Sequence, residues 1–378
     1  MRPTGARHFA GVSSAPVRPL ALHCEGSAPE EPVKTKGYAA QSANTPLAPF
    51  EFERRTPGDR DVHIEIDFCG ICHSDIHSTR NEWGMTQFPC VPGHEIIGRV
   101  VKTGKDARKF KEGQRVGVGC FVNSCRTCGS CMSGHENYCV NGVTMTYGSM
   151  DVDGRTPTFG GYSRQIVVDE HFVLNIPAGL DPAASAPLLC AGITTYSPLR
   201  QVGLTKGSRV AVMGLGGLGH MGVKLAASFG AEVTVLSRSS QKEADAKRLG
   251  AREFVLTSKE GALEKLAGRY DAILDTISAR HDLNGPLNCL KQEGTLILVG
   301  ASPENLEFSP FPLIFGNRKI MGSLVGGIPE TQAMLDHCGK HGITSDIEMI
   351  TPNQINQAYE RTLKGDVKYR FVIDCAKF

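Results

Sequence analysis

Four thiols stand close together in the run CRTCGSCMSGHENYC, at Cys125, Cys128, Cys131 and Cys139, with two, two and seven residues between them. This is metal-ligand spacing, and four thiolates close a tetrahedral zinc shell with no position open to a substrate. The chemistry expected of the cluster is structural. A second signal lies in VAVMGLGGLGHMGVKLAASFGAEVTVLSRSS, which reads as strand, glycine turn, helix and strand. Gly214, Gly216 and Gly219 fit G-x-G-x-x-G, with Gly217 extra. The first glycine permits a tight turn, the second lets backbone approach a pyrophosphate, and the third allows close helix packing. The helix N-terminus then offers free N–H groups to the anion. An NAD site carries an acid at the end of the second strand, whereas this chain has Ser237, Arg238, Ser239 and Ser240, then Lys242. Hydroxyls and cations suit a 2′-phosphate, so NADP(H) is expected. The other reading of Arg238 and Lys242 is that they only solvate a loop and a helix start.

Two kinds of element must position these groups. VHIEIDFCG, GHEIIGRVV and GQRVGVGC alternate or run apolar over strand lengths between glycine breaks, which predicts a β-rich domain. The character changes near LLCAGITTYSPL. Apolar runs at SRVAVMG, AEVTVLS, REFVL, YDAILDT and GTLILVG then recur with helical segments between several of them, as in a parallel sheet with crossover helices. The fold class is α/β. The expected boundaries are a catalytic domain over 33–189, with the cysteine lobe at about 120–142, a cofactor domain over 190–322, and a return to the first domain over 323–378. Trp83, the only tryptophan, has two readings, a pocket wall or an interface or core residue.

At 378 residues the chain is long enough for two domains. Lys and Arg number 41 against 39 Asp and Glu, so there is no positive field to gather nucleic acid or anionic lipid. Thirteen cysteines, an odd number without a secretory signal or membrane-length apolar run, point to a reducing compartment, the cytoplasm, and to metal binding. Residues 1–32 carry five prolines and no acid before Glu25. Prolines at 3, 16 and 19 oppose the amphipathic helix of a transit peptide, so a disordered extension is expected. Translation starting at Val33 is a further hypothesis, which the N-terminal mass of the native protein decides.

GHEIIGRVVKTGKDA resembles the zinc signature of the medium-chain dehydrogenase/reductase superfamily. CGICHSDIH, NEWG, VPGHE, the four-cysteine lobe, TFGGYS, LLCAGITTYSP and GLGGLGHMGVKLA resemble its cinnamyl alcohol dehydrogenase branch, including bacterial aldehyde reductases. The likeness runs from Lys34 to the C-terminus. It implies a GroES-like β-barrel catalytic domain, a Rossmann doubly wound parallel sheet for the cofactor, a cleft between them and a homodimer. It also implies that Cys72, His94 and Cys190 hold a second, catalytic zinc; taken singly, each also reads as a buried thiol or a core histidine. By the same likeness Glu95 is an acid able to approach the metal, Asp75 orients the ligating imidazole, and Ser74 and His77 form a proton relay. The other reading of His77, the less favoured one, is a surface histidine near the cleft mouth. Thr194, Leu218, Val299, Gly300 and Ser323 match cofactor-contacting positions, and Arg370 would pair with the pyrophosphate. Cys69 and Cys90 are read as packing residues.

The function expected is zinc-dependent interconversion of primary alcohols and aldehydes with NADP(H), in the direction of aldehyde reduction. Two readings stand beside it. One keeps the fold but makes it an NAD-dependent polyol or secondary alcohol dehydrogenase, against which the Ser-Arg-Ser-Ser stretch argues. The other is a non-enzymatic zinc-ribbon module, which predicts clustered cations or aromatics around a lobe that holds one Arg, one His and one Glu.

Overall fold

The computed structural model describes residues 31–151 and 153–378. The expected extension, residues 1–32, lies outside the described residues except for its last two.

Asp61–Gly70 organises the first sheet. Its side chains alternate between buried and half-buried over most of its length, the pattern of a strand with one face on a core. Along one side it pairs antiparallel with Ile96–Thr103. Along the other it takes Gln165–Asp169 at its start and Arg370–Asp374 at its end, both antiparallel. Register shifts at His63/Ile64 and Ile66/Phe68 bend this strand, and such bulges curl a sheet toward a barrel. The full order is Ile347–Ile350, Arg370–Asp374, Asp61–Gly70, Ile96–Thr103, Arg115–Val118 and Val173–Asn175. The C-terminal segment is therefore part of the sheet begun three hundred positions earlier, with Val372 opposite Gly70.

The second sheet has six parallel strands in the order Glu253–Leu256, Glu232–Ser237, Arg209–Met213, Tyr270–Asp275, Leu290–Leu298 and Lys319–Gly322. Counted along the chain this is 3-2-1-4-5-6, the doubly wound arrangement, whose crevice opens at the carboxyl ends where the order reverses. Arg209–Met213 sits at that reversal, and its last four residues are buried, as a central parallel strand requires. Helix Gly219–Ser228 follows it and buries Met221, Leu225 and Ala226 completely against the sheet. Fully burying a Met or Leu side chain contributes about 1.5–3 kcal/mol. Among the described residues no helix is long and apolar enough to cross a membrane.

Candidate active site and metal centres

Cys72 caps helix His73–Thr79, and the reciprocal partner is Asp75, whose Oδ2 accepts from the Cys72 N–H at 2.9 Å. The same carboxylate, fully buried, accepts from Gly93 N at 3.1 Å and from the Tyr162 hydroxyl at 3.2 Å, and its Oδ1 lies 3.2 Å from His94 Nδ1. A carboxylate on Nδ1 fixes the proton there and leaves Nε2 as the free donor atom. Cys190 arrives from a different region, at the start of helix Ala191–Gln201, and brings its sulfur to 3.8 Å from that of Cys72. Ligand atoms of Cys72, His94, Glu95 and Cys190 all lie within 4.8 Å of one another, and all four residues are buried. Two thiolates on one tetrahedral zinc, each about 2.3 Å from it, stand about 3.8 Å apart, so the donor set fits such an ion. The Cys190 thiol holds that of Cys72 well below its ordinary range, against burial and with help from His94.

The four-cysteine lobe passes the same test. Sulfur separations are 3.8 Å for Cys125–Cys131, 3.5 Å for Cys128–Cys131 and 4.0 Å for Cys128–Cys139. A disulfide needs about 2.05 Å. A short helix, Gly129–Met132, and a 3₁₀ turn, Glu136–Tyr138, carry the ligands, and both cysteines nearest the ends of the lobe close on the middle pair.

Two cavities meet at Cys72. The more polar of the two, the polar cleft, has 340 Å³ and includes Gly216, Gly217, Lys242, Thr276 and Arg370 in its lining; an apolar one of 390 Å³ is lined by Met85, Phe121, Val143, Met145, Leu324 and Val325. Cys72, Ser74, Trp83, Leu218, Val299 and Ala301 belong to both. Ser74 Oγ lies 3.5 Å from the Cys72 sulfur. His77, also on the polar cleft, is buried, with Nδ1 on Glu82 and Nε2 without a hydrogen-bond partner among the described residues. Trp83 lies against its ring in a tilted arrangement, with the centroids 5.0 Å apart.

The glycine turn opens onto the polar cleft. Gly214 has φ +84°, and a Cβ on Gly219 would sit 2.1 Å from the Gly214 carbonyl oxygen, so neither position accepts a side chain. Gly216 faces open space, as a site for an approaching phosphate requires. Arg370 lies against Gly217, with Nη2 and Nε on the Ile71 carbonyl at 2.7 and 3.1 Å and a further bond from Nη2 to Glu95 Oε1. Burial pushes the Glu95 carboxyl up to about 7 against the pull of Arg370. Burial opposes the charge on Arg370 too, but Glu95 and the nearby thiols outweigh it and hold that guanidinium protonated.

At the far end, Ser237 Oγ accepts from Ser239 N at 3.2 Å, and Lys242 turns back to donate to Leu215 O at 2.6 Å, its charge partly desolvated. Arg238 is exposed. Thr194, Val299 and Ser323 line the apolar cavity. Gly300 stands behind that wall, where a Cβ would meet the Ile277 carbonyl oxygen at 2.3 Å. Cys69 is fully buried, whereas Cys90 lines the apolar cavity, its thiol pushed up to about 12 by burial.

Several partners escape a reading of the chain alone. Glu82, inside the NEWG run, gave its signal only as a charge five residues beyond His77. Tyr162 and Gly93 complete the shell of Asp75 without any motif. Cys120, which follows the strand Arg115–Val118, lines the apolar cavity and is the first cause of the raised Cys190 thiol.

Residues 58–178 match the alcohol dehydrogenase GroES-like domain, and residues 217–340 match the zinc-binding dehydrogenase family. NADP-dependent alcohol dehydrogenase C 1 of Mycolicibacterium smegmatis is 54% identical over 340 residues, 90% of this chain and 97% of that protein. The 8-hydroxygeraniol dehydrogenase of Catharanthus roseus is 51% identical over 92% of this chain and 96% of its own. Among solved structures, a cinnamyl alcohol dehydrogenase from Sorghum bicolor superposes with a TM-score of 0.89 at 45% identity, covering 91% of this chain and 98% of that one. The enzyme of that type from Helicobacter pylori, complexed with NADP(H), gives 0.87 at 44% identity over 92% and 99%. Matched over both domains, the chain belongs to the zinc-binding alcohol dehydrogenase family, in which a GroES-like domain is joined to a Rossmann domain.

Proposed function

We propose that the chain reduces aldehydes to primary alcohols with NADPH, and catalyses the reverse with NADP⁺, where the polar cleft meets the apolar cavity. The observation that carries this reading is the convergence of Cys72, His94 and Cys190 on that junction. NADP-dependent relatives at about half identity over nine tenths of the chain support it.

Cys72, His94 and Cys190 would hold a zinc ion, which when bound supplies Lewis-acid polarisation of a carbonyl oxygen. The Gly214–Gly219 turn, Arg370, Ser237, Ser239 and Lys242 would hold NADPH, whose chemistry is hydride donation. Asp75 keeps the His94 proton on Nδ1, so the nitrogen turned to the cysteines stays basic. Ser74 Oγ, beside the Cys72 sulfur, gives its proton to the product oxygen or takes it in reverse. His77, fixed by Glu82 through Nδ1, keeps Nε2 buried and without a hydrogen-bond partner among the described residues, and so able to take the next place in the relay after Ser74. Met85, Phe121, Val143 and Met145 exclude water and receive the hydrocarbon part of the aldehyde. Cys125, Cys128, Cys131 and Cys139 would hold the second, structural zinc.

Cofactor preference gives the direct check. Ser237→Asp places a carboxylate at the end of Glu232–Ser237, where it repels a 2′-phosphate and accepts from a 2′-hydroxyl. Charge-assisted hydrogen bonds contribute about 1.5–3 kcal/mol each. The ratio of kcat/KM for NADPH over NADH should therefore fall by about 10²-fold or more. An unchanged ratio sinks the assignment of this end of the cleft to the 2′-phosphate.

The boundaries proposed are catalytic residues 33–189 and 323–378 around a cofactor domain at 190–322. All twelve cysteines among the described residues are free thiols, which supports a cytoplasmic location. A homodimer is also proposed. Lys319–Gly322 is an open sheet edge, and the preceding helix, Phe311–Gly316, exposes Phe311, Ile314 and Phe315 by 61, 66 and 83%. A second copy would cover both. Phe315→Glu should convert a species of twice the chain mass to one of single mass in sedimentation equilibrium; a wild-type monomer contradicts the proposal.

A further inference from the structure

The metal lobe touches the substrate wall. Three consecutive residues immediately before Cys139 reach across to Leu324–Ile328. Glu136 Oε2 accepts from Ile328 N at 2.9 Å, Asn137 Nδ2 donates to Leu324 O at 2.7 Å, and the Tyr138 hydroxyl accepts from Leu324 N at 3.1 Å. The other Glu136 oxygen is held by His171 Nε2 at 3.0 Å, which ties the reach back to the catalytic sheet. Backbones meet as well: a Cβ on Gly327 would sit 1.8 Å from Gly134 O.

What these bonds hold is strained. Val325 has φ +39°, a genuine outlier for a β-branched residue. It is buried, and with Leu324 it lines the apolar cavity. Asn137 also lines that cavity, and its Oδ1 is buried without a partner among the described residues, so the side chain keeps its contact with Leu324 at the expense of its own acceptor. Strain and an unsatisfied polar atom at one place mark a segment held in position for a purpose beyond stability.

We propose that Glu136, Asn137 and Tyr138 are positioning residues for substrate size. They clamp Leu324–Ile328 in the course that pushes Leu324 and Val325 into the cavity, so the lobe braced by Cys139 also sets the far wall of the aldehyde pocket. This inference rests on the proposed function only in taking the apolar cavity as the place of the aldehyde.

The test uses the full chain loaded with two zinc ions. Asn137→Leu removes the donor to Leu324 O at nearly constant volume. The KM for cinnamaldehyde should rise by up to about tenfold, the loss expected for one hydrogen bond to a partly buried carbonyl. The KM for propanal should rise clearly less than that for cinnamaldehyde, and the KM for NADPH and the zinc content should stay within about twofold. Amide hydrogen exchange in a peptide covering 323–328 should quicken. Equal KM shifts for the two aldehydes, or unchanged exchange, overturn the clamp. Should Asn137→Leu not fold, Tyr138→Phe, at a side chain 42% exposed, must show the same split at about threefold, and its absence overturns the clamp equally. A wild-type protein that reduced neither aldehyde would refute the proposed function, and the exchange readout alone would then decide the clamp.

Discussion

Replacing Cys72 by alanine takes the zinc content from two ions per chain to one and lowers kcat/KM for aldehyde reduction by about 10³-fold or more. Lewis-acid stabilisation of developing charge on oxygen contributes several kcal/mol, and each 1.36 kcal/mol is a factor of ten in rate. Cys72 contributes twice over. Its sulfur is one of three donors, two thiolates and an imidazole, and its backbone N–H makes one of the bonds that hold Asp75 and thereby His94. The alanine keeps the N–H, so the loss reports the sulfur alone. Binding of NADPH, followed by quenching of its fluorescence, should stay within about threefold because the glycine turn and Lys242 are untouched. Cys90→Ala is the matched control. That thiol lines the same cavity, lies outside the ligand cluster and should leave zinc at two ions. A Cys72→Ala protein with two zinc ions and full activity would remove the catalytic centre from the account.

Cys128→Ser should cost stability first. From Cys125 to Cys139 the lobe has little apolar burial: Met132 is 74% exposed and Tyr138 42%, while the buried side chains are Cys131, Glu136, Asn137 and Cys139. Its order comes from metal ligation, for which structural zinc supplies roughly 10–16 kcal/mol in small domains at neutral pH. Even a third of that, at about 2–4 °C per kcal/mol for a domain of roughly 150–250 residues, lowers the melting temperature of the catalytic domain by at least about 7 °C. One zinc per chain should remain, bound at the other site. Differential scanning calorimetry with metal analysis checks both numbers, and an unchanged melting temperature with one zinc lost would show that the lobe is no brace.

How much the chain disclosed depended on distance. Five strands of the parallel sheet were readable from short apolar runs: four are largely buried, as central parallel strands require, and Glu253–Leu256, at one edge, is half-buried throughout but keeps the run Phe254–Leu256. The sixth, Lys319–Gly322, has no buried residue and gives no such signal. The four-cysteine site was readable because its ligands lie within fifteen residues, so spacing alone holds the geometry. Cys72 and Cys190 are 118 residues apart, and only a family resemblance could pair them before the fold did. No pattern announced the bond between Arg370 and Glu95, 275 residues apart, because it exists only where the last strand returns beside Asp61–Gly70. Arg370 was expected at a pyrophosphate. It does lie against Gly217, but with two of its donors already given to the Ile71 carbonyl and Glu95. Helix His73–Thr79, at seven residues, is too short to show a period, and its capping by Asp75 is visible only in three dimensions.

Hydride transfer itself is the most direct test. NADPH dideuterated at C4 of the nicotinamide, incubated with the zinc-loaded protein and cinnamaldehyde, should yield an alcohol carrying one deuterium at the carbinol carbon, seen as a mass increase of one unit. An unlabelled alcohol, or NADPH left intact beside unreacted aldehyde, would contradict the account.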